Sequence, residues 1–401
     1  MNTFVRRGLA IVSAVAVASL ALVGVGSPGS AQPAPIVPVP TAVAAFVGVV
    51  GTPSQADAVA GSAMFSYEDF TRSYPAASPE MKNSAIGFFD VGGNEIGVYP
   101  ASSNSPADLV AAVATTLVPV NGERVANSIV VPALSSLTGD DYYQVAIEMS
   151  RMSAVLPAMA ILDVPASVTL SAIESKDMRG PIEVAITLTR MLPSPSTAAL
   201  YGSPLSNPAS GATPAAGLMA GLYLTNDELF GVWSAPSGAG LPLVDYTPMW
   251  LPTNEQMDDL SSFGINSFTD GSGVGATQAA GAQTLEQDNQ QKRYINEVRL
   301  AQNISASVRD GLAWTVFEPA GQQLWGQVNS SVSLFLATLQ AEGAFGDGPP
   351  QTASFVTVGQ SNNSVADMAA GLVNIDIAYR SNEYSDEYLG VHVTVQAGKG
   401  L

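Results

Sequence analysis

Apolar residues in the last third of the chain recur at helical spacing. In YINEVRLAQNISASVRDGL, Val298, Ala301, Ile304, Val308 and Leu312 return every three or four positions, which predicts a helix with one packed face and with Lys292 and Arg299 roughly opposite it. LWGQVNSSVSLFLATLQAEG gathers Leu324, Trp325, Val328, Val332, Phe335, Leu336 and Leu339 on one arc, with Gly343 placed as a C-terminal cap. The opposite face carries Gln327, Ser330, Ser331, Leu334, Ala337, Thr338 and Ala341 without a charge. Either the small-residue bias of the whole chain produces that face, or a second covering surface belongs to another subunit. Trp314, Phe317, Trp325, Phe335, Leu336 and Leu339 are the expected core of this region. Three strand-like runs follow, ASFVTVG, GLVNIDIAY and LGVHVTVQ; in the last, Val391, Val393 and Val395 alternate with His392 and Thr394.

Upstream, the pattern mixes both periods. TAVAAFVGVVG is a short, continuous, β-branched run that suits a buried strand. PAMAILDVPA and AGLMAGLYLT read as further buried strands, and DDYYQVAIEMSRM and PIEVAITLTRML as helices. In AIGFFDVGGNEIGVYP, apolar runs flank a Gly92-Gly93-Asn94 turn. Mixed β and α order favours an α/β layered domain. From Asp288 the periodicity becomes longer and cleaner, which marks a second domain.

Composition narrows the chemistry. Across 401 residues, 47% hydrophobic and 12% charged content describes a folded chain. A formal charge of −19 without a dense Lys/Arg block argues against nucleic acid as a partner. With no cysteine, thiolate metal sites and Cys nucleophiles are excluded. The single histidine, His392, lies on a strand surface, so no Ser/His/Asp triad has a placed base. DGSGVGATQAAGAQ misses the spacing of a dinucleotide fingerprint. The pairs Asp140-Asp141 and Asp258-Asp259 each open a helix-like segment, where capping accounts for them. SNEYSDEYLG lacks the glycine-centred spacing of a calcium loop. No catalytic residue, metal ligand or cofactor follows from the sequence. At the N-terminus, Arg6 and Arg7 precede an apolar run at 9–25 and small residues ending near Ala31, a secretory signal pattern over 1–31. A Pro-rich linker, 32–41, comes next.

In order, YINEVRLAQNISASVRDGLAWTVFEP, LWGQVNSSVSLFLATLQAEGAF and the three strand runs resemble the C-terminal domain of contractile tail sheath proteins of phages and phage-like injection machines. TAVAAFVGVVG, GFFDVGGNEIGVY, ALYGSP, GLYLTNDELFGVWSAPSG, FGINSF and GAQTL resemble the sheath middle domain. The resemblance spans residues 38–398 and is strongest from Ala198 onward. It implies an α/β fold with a subtilisin-like middle domain over 42–287 and a smaller C-terminal α/β domain over 288–401, two helices packed on a short sheet. It also implies a non-enzymatic structural subunit that stacks with copies of itself in helical rings around an inner tail tube protein, meets baseplate components, and sits in the tail sheath of a virion or phage-like particle. The terminal strand, with Leu389, Val391, Val393 and Val395, would be an arm at the subunit interface. Four of the fifteen Lys and Arg fall between Lys292 and Arg309, which makes Lys292 and Arg299 candidates for facing an acidic tube, with helix solubility as the alternative. The signal-like segment departs from the family's strand-forming N-terminal arm. It keeps open an exported, sheath-derived surface or binding protein that forms no contractile tube.

Overall fold

The run AAFVGV is covered on both faces, as its unbroken apolar pattern requires of a central parallel strand. It forms β1 (Ala44–Val49), and β2 (Ser62–Met64), α1 (Tyr67–Ser73), α2 (Pro79–Asp90), β3 (Ile96–Ala101), α3 (Pro106–Ala114) and β4 (Ser128–Val130) follow. Next come α4 (Gly139–Val155), β5 (Met159–Asp163), α5 (Ala166–Ser175), α6 (Arg179–Met191), β6 (Ala198–Tyr201), β7 (Leu205–Asn207), β8 (Gly211–Thr213) and α7 (Ala215–Phe230). The chain continues through β9 (Thr247–Pro248), α8 (Asn254–Ser262), β10 (Ile265–Thr269), β11 (Gln278–Ala280), α9 (Ile295–Gly311) and α10 (Gln322–Ala341). It ends with α11 (Pro350–Ala353), β12 (Ser354–Thr357), α12 (Val365–Ala370), β13 (Leu372–Arg380) and β14 (Tyr388–Gln396). This computed structural model describes residues 34–398 apart from 42, 52–58, 121, 123–124, 209–210, 271–275, 347–349 and 383–386. The signal-like segment, the glycine-rich run at 271–275 and the acidic residues at 383–386 lie outside the described residues.

Eight strands form one sheet in the order β11-β10-β6-β5-β4-β1-β3-β2, parallel from β10 to β3 with antiparallel edges. Alternation splits its side chains between two cores. Ala45 and Val47 pack with Leu109, Tyr142, Val145 and Leu188 of the helices on one face, while Ala44 and Phe46 pack with Phe88, Leu218 and Leu222 on the other. β7, β8 and β9 make a small separate antiparallel sheet.

AGLMAGLYLT is a helix, not the strand its apolar run suggests. α7 is buried around nearly its whole circumference, which erases the amphipathic period that distinguishes a helix from a buried strand. Its glycines show why a helix fits there. A Cβ on Gly217 would stand 2.7 Å from Ser84 Cβ, and one on Gly221 2.4 Å from the Phe88 carbonyl, so α2 crosses α7 almost backbone to backbone. The acidic pairs also divide. Asp140 and Asp141 occupy the first turn of α4, but Asp258 and Asp259 lie past the opening of α8, where Thr253 and Gln256 form a capping box and Glu255 supplies the first-turn charge.

The C-terminal elements enclose a third core. Leu300, Ile304 and Val308 of α9 and Val328, Phe335 and Leu336 of α10 pack on one face of the antiparallel sheet β12-β13-β14. α9 also serves the large sheet, because Ile295 and Val298 at its start belong to the core beneath α7. Trp325, Phe335, Leu336 and Leu339 lie inside this third core, and Trp314 is half-buried at its margin. Phe317 is not in it: the residue is 85% exposed. The turn over Ala313–Phe317 is a 3₁₀ helix that points Thr315 inward, bonded to Leu312 and Gln396 carbonyls, and its tight winding sends Phe317 two positions later to the outer side.

The Pro-rich stretch at 34–41 is no free linker. Ile36 is buried in the third core against Gly311, the Val39 N–H donates to Ser307 Oγ at 2.9 Å, and Asn303 Nδ2 donates to the Val39 carbonyl at 2.9 Å. Positions 303, 307 and 311 share one face of α9 at a spacing of four, so the helix presents a donor, an acceptor and a side-chain-free seat to the extended strap.

Candidate assembly surface

β14 pairs antiparallel with β13 over nine positions, from Leu372 opposite Gln396 to Arg380 opposite Tyr388. The pairing fixes which backbone groups remain. Main-chain bonds from Ala397 to Gly371 and from Ser381 to Glu387 show that odd-numbered residues of β14 bond inward, so Tyr388, Gly390, His392, Thr394 and Gln396 direct their N–H and C=O groups to the outer edge. Both ends of that edge are closed. Gln291 Nε2 donates to the Tyr388 carbonyl at 3.5 Å, Thr315 Oγ1 donates to the Gln396 carbonyl at 2.5 Å, and the Gly398 N–H reaches the Glu318 carbonyl at 2.8 Å. Between them, the main chain of Gly390, His392 and Thr394 has no hydrogen bond among the described residues. Such an interrupted edge is a template for one more strand.

Leu389, Val391, Val393 and Val395 face inward. All four are buried in the chain's own third core, because alternation turns every odd residue of β14 beneath α9 and α10. What the strand offers outward is backbone, not apolar side chains.

Arg299 is likewise not a surface cation. It is buried beside Asp227 of α7, with Nη1 to Oδ1 at 2.7 Å, and lies over the Tyr223 ring at 4.9 Å from its centroid. The desolvation of a guanidinium there is offset by its carboxylate partner. Lys292 is exposed, and with the exposed Arg309 it borders a cleft of about 380 Å³ that also takes in Gly390, Ala301 and Gln302. The cationic rim beside the open strand edge is thus Lys292 and Arg309. The uncharged face of α10 is solvent-facing at Ser330, Leu334, Ala337, Thr338 and Ala341, with Leu334 61% exposed.

His392 stands on the outward face of β14, where its Nδ1 meets Asp376 Oδ1 at 2.7 Å and its Nε2 meets Thr394 Oγ1 at 3.2 Å. The His392 hydrogen bond, aided by Asn362, holds the Asp376 carboxyl below its usual range. An Asp-His-Thr line resembles a nucleophile relay, but the Thr394 hydroxyl already donates to Asn374 Oδ1 at 2.8 Å, so its hydrogen is not directed at the imidazole. The arrangement is a cross-strand polar ladder on an exposed sheet face.

Solved structures place this architecture. The helical sheath of the anti-feeding prophage in its contracted state superposes with a TM-score of 0.67 at 21% identity, covering 90% of this chain and 95% of that one. The sheath complex of PVC, an extracellular contractile injection system, in its contracted state gives 0.65 at 20% identity, covering 89% and 93%. The chain has the fold of contractile sheath proteins. The sheath tail protein of Listeria innocua shares that fold at 8% identity, with a TM-score of 0.61 over 89% of this chain and 96% of that one. No protein-family model and no curated protein sequence matches the chain.

Within the sheath fold, sequence reasoning missed the strap on α9 and the Asp227–Arg299 pair. The spacing of Asn303, Ser307 and Gly311 was available as a signal for the strap, since it sets a polar and glycine line beside the helix's apolar stripe. Nothing local marks Asp227 as the partner of a residue 72 positions away.

Proposed function

We propose that this protein is a structural subunit that assembles with copies of itself into the contractile sheath around the inner tube of a phage-tail-like injection machine. The observation that carries the reading is the length of the match: about nine-tenths of this chain superposes on more than nine-tenths of the matched chains in two contracted sheath structures. On this reading the large sheet with its helices is the sheath middle domain, of subtilisin-like layout, and the elements from 288 onward are the C-terminal domain. The protein is not an enzyme, and its remaining partners are the tube protein and the baseplate. Subunits are joined by an added strand at Gly390, His392 and Thr394, with Lys292 and Arg309 favouring an acidic segment or neighbour beside that edge.

Electron microscopy of the purified chain, alone and with its cognate tube, tests the reading. Thr394→Pro removes one outward N–H while leaving the inward ladder to β13 intact. The parent should form rings or tubes and the variant folded subunits only. Tubes formed equally by both would exclude strand addition at this edge, and a parent that stays monomeric with its tube would exclude the sheath role.

A further inference from the structure

The large sheet carries a cleft that the assembly surface does not use. The parallel strands reverse their order at β1, whose neighbours are β3 on one side and β4 on the other. In open α/β sheets, ligands sit beyond the carboxyl ends of the strands at such a reversal. To one side of the reversal, beyond the ends of β4 and β5 and not of β1 itself, lies a cleft of about 300 Å³, bordered by Ser135, Val164, Leu170, Pro204, Pro214 and Met249. Its walls are largely apolar, and Leu170 and Met249 are exposed.

Two carboxylates line it, Asp163 at the end of β5 and Glu80 in the first turn of α2. Asp163 is only 4% exposed. One of its oxygens is occupied: Oδ1 accepts the N–H groups of Ala215 and Ala216 at 2.8 and 3.1 Å, capping α7, whose N-cap residue Pro214 has no side-chain acceptor. The other oxygen, Oδ2, has a single 3.4 Å approach from Ala216 N. Helix capping accounts for Oδ1 and leaves Oδ2 with little. Among the described residues no Lys, Arg or His lines the cleft.

We infer that this cleft binds a primary ammonium group on a short aliphatic stem, the stem against Leu170, Pro204 and Met249 and the ammonium at Asp163 Oδ2 with Glu80 adding charge. A nearly buried carboxylate whose second oxygen has one long hydrogen bond, set among apolar walls, selects a cation carried on hydrocarbon over a hydrated metal ion or an anion. The ammonium can come from a free alkylamine or from a lysine side chain of a partner chain.

Calorimetric titration of the full chain with n-pentylammonium, with n-pentanol as the neutral isostere and with N-acetyl-lysine-N-methylamide, tests this. At about pH 8.5, above the raised Asp163 value of about 7, n-pentylammonium should bind at least about tenfold more tightly than n-pentanol, and most of the difference should be lost at about pH 5.5. Binding of the free amine alone assigns the site to a small molecule, and binding of the lysine derivative as well assigns it to a side chain. Asp163→Asn keeps an oxygen for the cap and removes the charge, so it should remove most of the preference for the cation; Glu80→Gln, away from the cap, should weaken it by a few-fold. Equal affinity for pentanol and pentylammonium, or a cation preference undiminished in Asp163→Asn, overturns the inference. Should Asp163→Asn fail to fold, the pentanol comparison and Glu80→Gln still decide.

Discussion

Asp227 of α7 and Arg299 of α9 form a bidentate ion pair, Nη1 to Oδ1 at 2.7 Å and Nη2 to Oδ2 at 2.5 Å, with their side chains 7% and 4% exposed. Arg299 lies over Tyr223, whose hydroxyl meets that of Tyr201 on β6 at 2.9 Å. A single buried polar chain therefore ties the large sheet, α7 and α9 together. A charge pair withdrawn from solvent is costly to break from one side, because the survivor stays buried.

Arg299→Met should therefore cost about 3–5 kcal/mol, with Asp227 left uncompensated, and adding Asp227→Leu should restore most of that loss. Urea denaturation of the three variants measures both. A single-variant loss below about 1 kcal/mol would mean that Arg299 is solvated in solution.

Two prolines one residue apart on β14 should behave oppositely. Val393→Pro removes an inward ladder bond and a fully buried side chain, so the subunit itself should be destabilised. Thr394→Pro removes an outward N–H, so the thermal midpoint should stay near that of the parent. Circular dichroism melts of the two variants check the register, and equal destabilisation would contradict the outward assignment of even positions.

Phenylalanines 335 and 317 test the third core directly. Phe335→Ala should cost about 3–5 kcal/mol for a side chain 2% exposed. Phe317→Ala should stay within about 0.5 kcal/mol in the isolated subunit. If Phe317→Ala instead blocks ring formation without changing stability, its exposed ring belongs to a subunit contact.

Burial raises the Asp163 carboxyl from an ordinary 3.8 to about 7, against the two backbone N–H groups that lower it. The folded state then keeps a proton that the unfolded chain releases above 3.8, so this group's contribution to stability is full below that value and is lost as pH rises towards 7. The slope for one such group reaches about 1.4 kcal/mol per pH unit. Glu80 and the buried hydroxyls of Tyr142 and Tyr201 face the same region, and the tyrosines stay neutral because their pKa values are pushed well above the usual. Urea midpoints at about pH 5 and pH 8 should fall with pH more steeply for the parent than for Asp163→Asn; parallel profiles would place the carboxyl in its ordinary range.

Local pattern alone determined much of this protein. The stripe of α10, the alternation of β14 and the unbroken run of β1 each read correctly, because a side chain's direction in a helix or strand follows from its position in the repeat. The ordered segments from 38 onward also carried the resemblance to sheath proteins. Tertiary structure decided the rest. AGLMAGLYLT became a helix because a segment covered on every side shows no period, and only the close approach of α2 to Gly217 and Gly221 distinguishes the alternatives. Arg299 moved from a presumed surface to a buried pair because its partner lies on another helix. Phe317 turned outward through the 3₁₀ winding of Ala313–Phe317. The free edge at Gly390, His392 and Thr394 exists only once β13 has taken the other side of the strand, since main-chain donors are the same in every residue but proline and pairing alone determines which remain open.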